Sequence, residues 1–533
     1  MGRGGESKLL NSDRLCFFGL LAAAVVLYTS GLGNLPLRDW DEGIVAGVAR
    51  NIWRAEPNSL TWFYPTINYG DPYWNKPPLI HWAIALAYRF FGVSEWSTRI
   101  VPALISACSV PLLYLIGREV FVPRSTAIIS ALVYLTLLPA VRHGRVAMLD
   151  GAIACWFCLA VWCLLRGRGD RRWLLGTGLA IGAICLTKGI MMGVLLGGII
   201  ILFVVWDYPK LLQSPYLWSS LILGIVPAIA WYTAQYLHYG AQFLGISLGT
   251  QTFNRIWEPV SDVSSPFWYY LLEIAKYGLP WLIFLPCGVK LAFDSRHLSW
   301  GKLALTWSSV YLLAVSLMAT KLPWYIITIY PGLSLLIGAS LARAWQKNLA
   351  PYFWRISLSL LSLICWLASI YYGSVSDSPK LNLALILAVV AFSFTLASVM
   401  LWLHSRYFIP AIIAGFYFAL LLLFNSSHWL WELNEAFPVK PVAQMLQQST
   451  PPGQNIYTTY QSLRPSLEFY SDRVVIPASD EQLKQYWQQD RPVYLLIDRN
   501  AINRLKLQPH QKLGNDLNNM SWQLITRENI PSN

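Results

Sequence analysis

The sequence predicts a mainly α, polytopic membrane protein that carries a small α/β domain at its carboxyl end. Of the 533 residues, 55% are hydrophobic and only 13% are charged, which is unlike a soluble chain. Apolar runs long enough to cross a bilayer recur from Leu15 to about His428, roughly thirteen in all. Residues 430–533 are much more polar. These observations predict a bundle of membrane-spanning helices followed by a separate domain.

The apolar runs are joined by short polar connections. We expect spans at 14–33, 98–120, 125–142, 146–166, 172–188, 190–206, 216–238, 267–293, 302–320, 324–345, 355–374, 381–403 and 407–428. The first span lacks a cleavage site of small residues, so we expect a retained anchor. The apolar stretch 79–92 is short, and we expect it to lie along or dip into the outer leaflet.

Positive charges assign the connections to two sides of the membrane. One side, expected to be cytoplasmic, receives Arg3, Lys8, Arg14, Arg118, Arg124, Arg166, Arg168, Arg171, Arg172, Lys210, Arg296, Arg343, Lys347 and Arg406. The other side receives the 38–82 loop, the Arg145–Asp150 turn, Lys188, the 239–265 loop, Lys321 and the C-terminal domain. This sidedness predicts a cytoplasmic N-terminus and an external C-terminal domain.

Two domains are therefore expected. Residues 1–429 would form the transmembrane domain, with 38–96 as its external juxtamembrane loop, and residues 430–533 the external α/β domain. In the latter, helices are predicted at 439–448 and 480–489, and strands at 455–460, 474–478, 492–498 and 521–527.

Charge and cysteine usage exclude some function classes. The net charge of +13 is better explained by cytoplasmic loops and anionic lipid than by nucleic acid. All eight cysteines fall inside predicted spans, so a disulfide framework is not expected. Cys155 and Cys158 form a CxxC within an apolar helix, where a metal or redox role is disfavoured.

The first loop begins with adjacent acids, Asp41 and Glu42. Apolar spacing after them predicts an amphipathic helix at 41–53 lying on the membrane, and acids near its start suit the helix dipole. The alternative is chemical, because a carboxylate there could accept a proton from an attacking hydroxyl.

The same loop ends with Tyr73 and Lys76 before a pair of prolines. A lysine at this position could snorkel to the interface, or it could bind a phosphate as a point charge. Tyr73 would supply stacking surface or belong to the aromatic belt.

Two charged residues interrupt apolar sequence farther along the chain. Asp150 heads a span, where an N-cap role is the alternative to a binding role. Lys188 lies between two tightly connected spans and needs an anion there, with Asp150, Asp41 and a bound phosphate as the candidates.

Three more residues complete the external set. Arg255 would bind phosphate or be a solvated loop charge, whereas Lys321 and Tyr325 begin a span, where a tyrosine often belongs to the aromatic belt. Bases on one face would hold an anionic donor phosphate, and an acid would activate an acceptor. The sequence has no HExxH, GxSxG or P-loop, so it indicates transfer from a lipid-borne phosphate donor without an obvious metal requirement.

These motifs resemble those of the GT-C membrane glycosyltransferases, in the branch that joins bacterial aminoarabinose transferases of lipid A to protein O-mannosyltransferases. The resemblance covers about 14–430. It rests on six elements in order: WDEG at Trp40–Gly43, Tyr73–Pro78, Leu149–Asp150, Thr187–Gly189, Arg255 before Pro266–Tyr270, and Lys321–Tyr325.

The resemblance implies a GT-C fold in a bacterial plasma membrane. It implies Asp41 and Glu42 as catalytic, and Tyr73, Lys76, Asp150, Lys188, Arg255, Lys321 and Tyr325 as substrate-binding. A polyprenyl-phosphate sugar would be the donor, with inversion at the anomeric carbon and no obligatory cofactor; assistance by a divalent metal stays open. The acceptor would be a glycolipid such as lipid A, a polysaccharide or a protein. We expect a monomer that contacts membrane lipids.

Two positions depart from the family pattern. Aminoarabinose transferases commonly have an acidic residue before the loop lysine, where this chain has Asn75, and Arg-Tyr where it has Ile44 and Val45. These changes affect the sugar and the acceptor. The rival function is a transporter or flippase of lipid-linked sugars, against which the sequence shows neither a repeat of spans nor paired interrupted helices.

Overall fold

The computed structural model describes residues 3–56, 59–67, 70–259, 265–348, 350–376, 380–430, 439–459, 464–489, 492–507, 511–513 and 522–526. The packing of Cα atoms divides the chain into two compact units. The helical unit comprises 1–32, 74–80 and 99–429, and the composite unit comprises 33–73, 81–98 and 430–533. Most of the 38–96 loop is thus grouped with the C-terminal segment. The division at residue 429 stays a prediction.

The α-helices follow closely on one another along the chain. They are α1 (Arg3–Thr29), α2 (Asp41–Arg54), α3 (Leu79–Phe91), α4 (Glu95–Val120), α5 (Arg124–Leu135), α6 (Leu138–Arg145), α7 (Asp150–Arg166), α8 (Leu174–Lys188), α9 (Ile190–Asp207), α10 (Pro215–Tyr239), α11 (Ala241–Leu244), α12 (Asn254–Trp257), α13 (Tyr269–Tyr277), α14 (Leu285–Asp294), α15 (Ser299–Leu317), α16 (Tyr330–Lys347), α17 (Tyr352–Ile370), α18 (Leu381–Trp402), α19 (Phe408–Phe424), α20 (Val439–Ser449), α21 (Pro465–Ser471), α22 (Asp480–Trp487) and α23 (Arg499–Leu505). A 3₁₀ segment, Pro323–Ile329, leads into α16, and a π-helical segment, Gly245–Phe253, precedes α12.

Membrane-spanning helices make up much of the helical unit. Among the described residues, seven helices are long and apolar enough to cross a bilayer, or eight if α5 and α6, bent by 59°, are one span. The predicted number of thirteen is not confirmed, because several expected spans are shorter helices; α8 has 15 residues, and 267–293 is interrupted between α13 and α14. Helix α3 has 13 residues, about 20 Å, and its place in the outer leaflet stays a prediction.

Glycines allow α8 to pack closely against α10. A Cβ atom added to Gly182 would lie 1.8 Å from the carbonyl oxygen of Gly224, and one added to Gly178 would lie 1.8 Å from that of Ser220. Only hydrogen fits at such a distance, so the two backbones come together as in other small-residue helix contacts. This contact fixes α8, whose last residue is Lys188.

The composite unit contains an α/β layer structure, as predicted. Its strands are β1 (Thr66–Ile67), β2 (Asp71–Pro72), β3 (Asn455–Thr458), β4 (Val474–Pro477), β5 (Tyr494–Asp498), β6 (Gln511–Leu513) and β7 (Trp522–Thr526). The larger sheet has the order β4-β3-β5-β7-β6, parallel from β4 to β5 and antiparallel at β7 and β6. The predicted strands end near the observed ones, although residues 460, 521 and 527 lie outside the described chain, and β6 was not predicted.

Helices cover both faces of this sheet. Successive side chains of β5 point to opposite faces, so each face contributes apolar residues to a separate cluster. Tyr494 and Leu496 pack in a cluster with residues of α20 and α21, whereas Leu495 and Ile497 pack with α22 and α23. The central strand is therefore buried on both faces, which explains its continuous apolar run.

Candidate functional site

Helix α2 carries the first two predicted catalytic residues at its amino end. Asp41 is its first residue and is half-buried, at the end where the helix dipole favours a carboxylate. Glu42 is fully buried, and its Oε2 accepts a hydrogen bond of 2.9 Å from the backbone N–H of Arg38. Glu42 therefore closes the turn that presents Asp41.

The residues just before Asp41 are tightly held. The carboxylate of Asp39 is 2.7 Å from Nη1 of Arg464 and also accepts hydrogen bonds from Ser466. The backbone φ of Trp40 is +63°, a value that residues other than glycine rarely adopt. Such a conformation persists where its surroundings enforce it, and here the Asp39 contacts do so. The position of Asp41 is thereby defined by residues more than 400 positions away in sequence.

The helix predicted at 41–53 is confirmed as α2, and its expected position on the membrane stays a prediction. Its apolar face is buried within the composite unit. Val48 and Ile52 pack with Tyr73, and Ala46 packs with Phe469 of α21. Apolar periodicity identifies the face that must be buried but not the surface that buries it.

Tyr73 and Lys76 are separated by the division into units. Tyr73 is buried in the composite unit, with its ring 5.3 Å from that of His81. Lys76 is half-buried in the helical unit. Its neighbour Trp74 contacts Tyr239, at the end of α10, with ring centroids 5.3 Å apart. This contact fixes the position of the lysine segment in the bundle.

Asp150 and Lys188 form a buried ion pair in the helical unit. Asp150 begins α7 without making an N-cap hydrogen bond, so the N-cap alternative is wrong. Its Oδ1 instead accepts from Nζ of Lys188, and the two side chains are only 7% and 10% exposed. Lys188 ends α8, and Gly189 follows with a φ of +119° that lets the chain turn directly into α9.

Tyr325 connects this ion pair to Arg255. The Lys188 ammonium lies 4.5 Å from the centroid of the Tyr325 ring, a cation–π contact. The Tyr325 hydroxyl accepts a hydrogen bond of 2.6 Å from Nη1 of Arg255, whose Nη2 donates to Oε1 of Gln251 at 2.7 Å. Four predicted residues, Asp150, Lys188, Tyr325 and Arg255, are thus brought together in one continuous chain of contacts.

The backbone holds this chain of contacts in place. The N–H groups of Ala319 and Thr320 donate to the carbonyls of Ile256 and Arg255, at 2.9 and 3.1 Å. The Tyr311 hydroxyl donates to the Tyr325 carbonyl at 2.7 Å. The Arg255 segment and the Tyr325 segment are therefore joined along their main chains as well as by side chains.

Lys321 does not take part in these side-chain contacts. Its Nζ donates to the backbone carbonyl of Met318 at 2.5 Å, and burial lowers the pKa of its ammonium group.

In the part of the chain that the structure describes, no group of three or more His, Cys, Asp or Glu side chains is placed to hold a metal ion.

Comparison with known proteins identifies chains that are similar in sequence and in fold. The model of the family described as dolichyl-phosphate-mannose-protein mannosyltransferase matches residues 75–232. The crystal structure of ArnT from Cupriavidus metallidurans bound to undecaprenyl phosphate has the same fold, with a TM-score of 0.78 over 96% of this chain and 97% of that one, at 19% identity. The chain therefore has the GT-C fold of the membrane glycosyltransferases.

Two relatives are similar to this chain in sequence. An undecaprenyl phosphate-alpha-4-amino-4-deoxy-L-arabinose arabinosyl transferase of Pseudomonas fluorescens is 28% identical over 280 residues, which is 51% of this chain and 50% of that enzyme. The chain thus matches about half the length of this curated relative. A protein of Aquifex aeolicus is 26% identical over 482 residues, 88% of this chain and 89% of its own.

The range matched by the mannosyltransferase family model includes some of the predicted site residues and omits others. Lys76, Asp150 and Lys188 lie within its range, whereas Asp41 and Arg255 lie outside it. Gln251, which accepts a hydrogen bond from Arg255, was not predicted from the sequence. It lies four residues before Arg255, and on a helical segment this spacing indicates that two side chains are neighbours.

Proposed function

We propose that the protein transfers a sugar from a polyprenyl-phosphate donor to an acceptor at the external face of a bacterial plasma membrane, with inversion at the anomeric carbon. The acceptor would be a glycolipid such as lipid A, a polysaccharide or a protein. The observation that carries the proposal is the placement of Lys188 and Arg255 against one tyrosine, in a fold shared with ArnT. The protein would act as a monomer, with its N-terminus in the cytoplasm and residues 430–533 outside.

The residues that contact one another around Tyr325 have a charge balance that supports a phosphate ligand. We call them the Tyr325 group: Asp150, Lys188, Tyr325 and Arg255. Lys188 and Arg255 contribute two positive charges and Asp150 one negative charge, so the group has a net charge of +1. Asp150 offsets the cost of burying Lys188 without neutralising the whole group. The remaining positive charge suits the monoanionic phosphodiester of a sugar–phosphate–lipid.

Transfer would break the bond between the anomeric carbon and the phosphate oxygen. Negative charge then develops on the departing polyprenyl phosphate, and Lys76, Lys188 and Arg255 would stabilise it. Cations held in advance by Asp150, Tyr325 and Gln251 need little reorganisation as this charge appears. The positioning contacts therefore favour the transition state over the bound donor.

Asp41 would accept the proton of the acceptor hydroxyl, or orient an acceptor phosphate. It lies half-buried at a helix amino end, where the helix dipole favours a negative charge. Glu42, buried against the backbone of Arg38, would assist by fixing this turn. Tyr73 and Lys321 complete the proposed substrate-binding set.

The test is a transfer assay with purified protein, radiolabelled polyprenyl-phosphate sugars and total membrane acceptors, with and without EDTA. We expect Asp41→Asn to lower transfer by roughly a hundredfold or more, as for the loss of a general base. Glu56→Gln is the matched control, because Glu56 is an exposed acid in the same unit. Full activity of the Asp41 variant would remove its assigned role. Flipping of the labelled lipid across vesicles without transfer would favour the transporter.

A further inference from the structure

The helical unit contains a second polar feature that the proposed transfer does not use. A pocket of about 530 Å³ lies among α14, α16 and the start of α17. Its polar lining includes Lys290, Asp294, Arg343 and Lys347, and the buried ring of Trp354 also contributes to its wall. This volume is within the range of small-molecule sites in proteins, about 300–1,000 Å³.

The three cations of this pocket differ from three other cations on the side predicted to be cytoplasmic. Arg118 and Arg124 both bind the carboxylate of Asp13, and Arg168 binds that of Asp207. By contrast, within the described ranges Lys290, Arg343 and Lys347 make no hydrogen bond or ion pair with the protein. Three cations and one carboxylate, Asp294, leave the pocket with a net charge of +2. Such a charge is best satisfied by an anionic ligand.

The pocket is well separated from the Tyr325 group. Helix α16 begins at Tyr330, five residues after Tyr325, and ends at Lys347. Its length of about 26 Å is close to the thickness of a bilayer core. The pocket therefore lies at the opposite end of the same helix, on the side predicted to be cytoplasmic from its positive charges.

Apolar side chains surround the helix ends that form the pocket. Phe293, Tyr352 and Phe353 are 53%, 59% and 43% exposed. Tyr352 and Phe353 lie on α17, which is long and apolar enough to cross a membrane, and exposed aromatic rings there are suited to lipid chains. The pocket thus combines an exposed basic lining with an apolar margin, as an amphipathic lipid requires.

We propose that this pocket binds the phosphate headgroup of an anionic membrane phospholipid. Lys290, Arg343 and Lys347 contact the phosphate, and Asp294 limits the net charge. The acyl chains lie along Phe293, Tyr352 and Phe353. Basic pockets between helices at the cytoplasmic side are a recurring form of lipid recognition. This proposal is independent of the transfer reaction.

The test measures lipid retention by native mass spectrometry of the full chain, extracted from bilayers that contain phosphatidylcholine and phosphatidylglycerol. We expect wild type to retain phosphatidylglycerol, and the triple variant Lys290→Gln/Arg343→Gln/Lys347→Gln to retain it roughly tenfold less. The matched control is Arg172→Gln/Lys210→Gln/Arg296→Gln, which removes three exposed cations outside the pocket and leaves retention unchanged.

A second variant separates binding from misfolding. Asp294→Asn removes only the negative charge of the pocket, so we expect it to retain more phosphatidylglycerol than wild type, which an unfolded protein would not do. Equal retention by wild type, the triple variant and Asp294→Asn would overturn the proposal. Displacement of the phospholipid by undecaprenyl phosphate or inorganic phosphate at equal concentration would also overturn it, in favour of that other phosphate.

Discussion

The Asp150 carboxylate and the Lys188 ammonium are each about nine-tenths buried, so each relies on the other for the solvation that water would supply. Tyr325 adds the face of its ring to the ammonium and its hydroxyl to Arg255. The Lys188 charge is therefore held from two sides. We infer that the pair maintains the shape of the site as well as its charge.

Removing one member of this pair should destabilise the protein more than removing both. We expect Asp150→Asn to cost about 3–5 kcal/mol, because it leaves an uncompensated buried ammonium, and Asp150→Asn/Lys188→Gln to cost less. The measurement is the unfolding midpoint in detergent as a double-mutant cycle. Asp480→Asn, which removes an exposed pair with Arg504, is the control and should change little. Additive costs for the two substitutions would contradict the assigned coupling.

At the scale of secondary structure, the contact between α8 and α10 determines where Lys188 lies. The neighbour of Gly182 across this contact is the backbone of Gly224, which cannot move aside like a flexible side chain. A larger residue must therefore displace a whole helix. Since Lys188 is six residues farther along α8, the displacement would reach the ion pair.

Gly182→Ala should lower stability by about 1–3 kcal/mol through overpacking, and should lower transfer activity with it. The control is Gly198→Ala in α9, since a Cβ atom there meets nothing within 4 Å. At an open helical position, alanine is better than glycine by about 1 kcal/mol. In thermal unfolding, we expect Gly182→Ala to lower the melting temperature and Gly198→Ala to raise it. An equal change in the two variants would show that helix propensity, not packing, controls the stability at Gly182.

At the scale of the molecule, the composite unit joins stretches that are far apart in sequence. Arg54 forms an ion pair with Asp472, and Nη1 of Arg50 donates to the carbonyl of Phe469. A Cβ atom on Gly43 would lie 2.5 Å from the backbone nitrogen of Ser466. Helix α2, with Asp41 at its start, is therefore built against α21 of the C-terminal segment. We infer that the stability of this segment controls the order of the predicted catalytic loop.

Glu468 of α21 should make this stability depend on pH. Burial raises the pKa of its carboxyl to about 7 from its ordinary value near 4.5. The folded state thus binds a proton more tightly than the unfolded state, so the stabilisation is complete below pH 4.5 and is lost as pH rises to about 7. The change amounts to about 3 kcal/mol at most.

Hydrogen exchange of α2 and α21 measures this effect, after correction for the intrinsic pH dependence of exchange. We expect both helices to lose protection together between pH 5 and pH 7.5. Glu468→Gln, which retains an oxygen to accept from the Val475 N–H, should remove this dependence. The same loss of protection in wild type and variant would mean that another group is responsible.

Much of this organisation is predictable from local sequence. Charged residues that interrupt or adjoin apolar runs are conspicuous, so Asp150, Lys188 and Arg255 can be identified from the sequence by themselves. Their partners are less certain: three anions are candidates for Lys188, and the structure pairs it with Asp150. Gln251 was missed because it is uncharged, and its spacing of four residues from Arg255 is informative only once the segment is known to be helical.

The sequence alone established the membrane helices, the α/β character of the C-terminal segment and the positions of the chemically suited residues. These properties depend on composition and on periodicities of two and 3.6 residues, which are local. Tertiary packing supplied the rest: protein side chains bury the apolar face of α2, Lys188 is paired with Asp150, and three cations line a pocket. Such features depend on which distant surfaces meet. Hydrophobic burial requires that an apolar face be covered but does not specify by what.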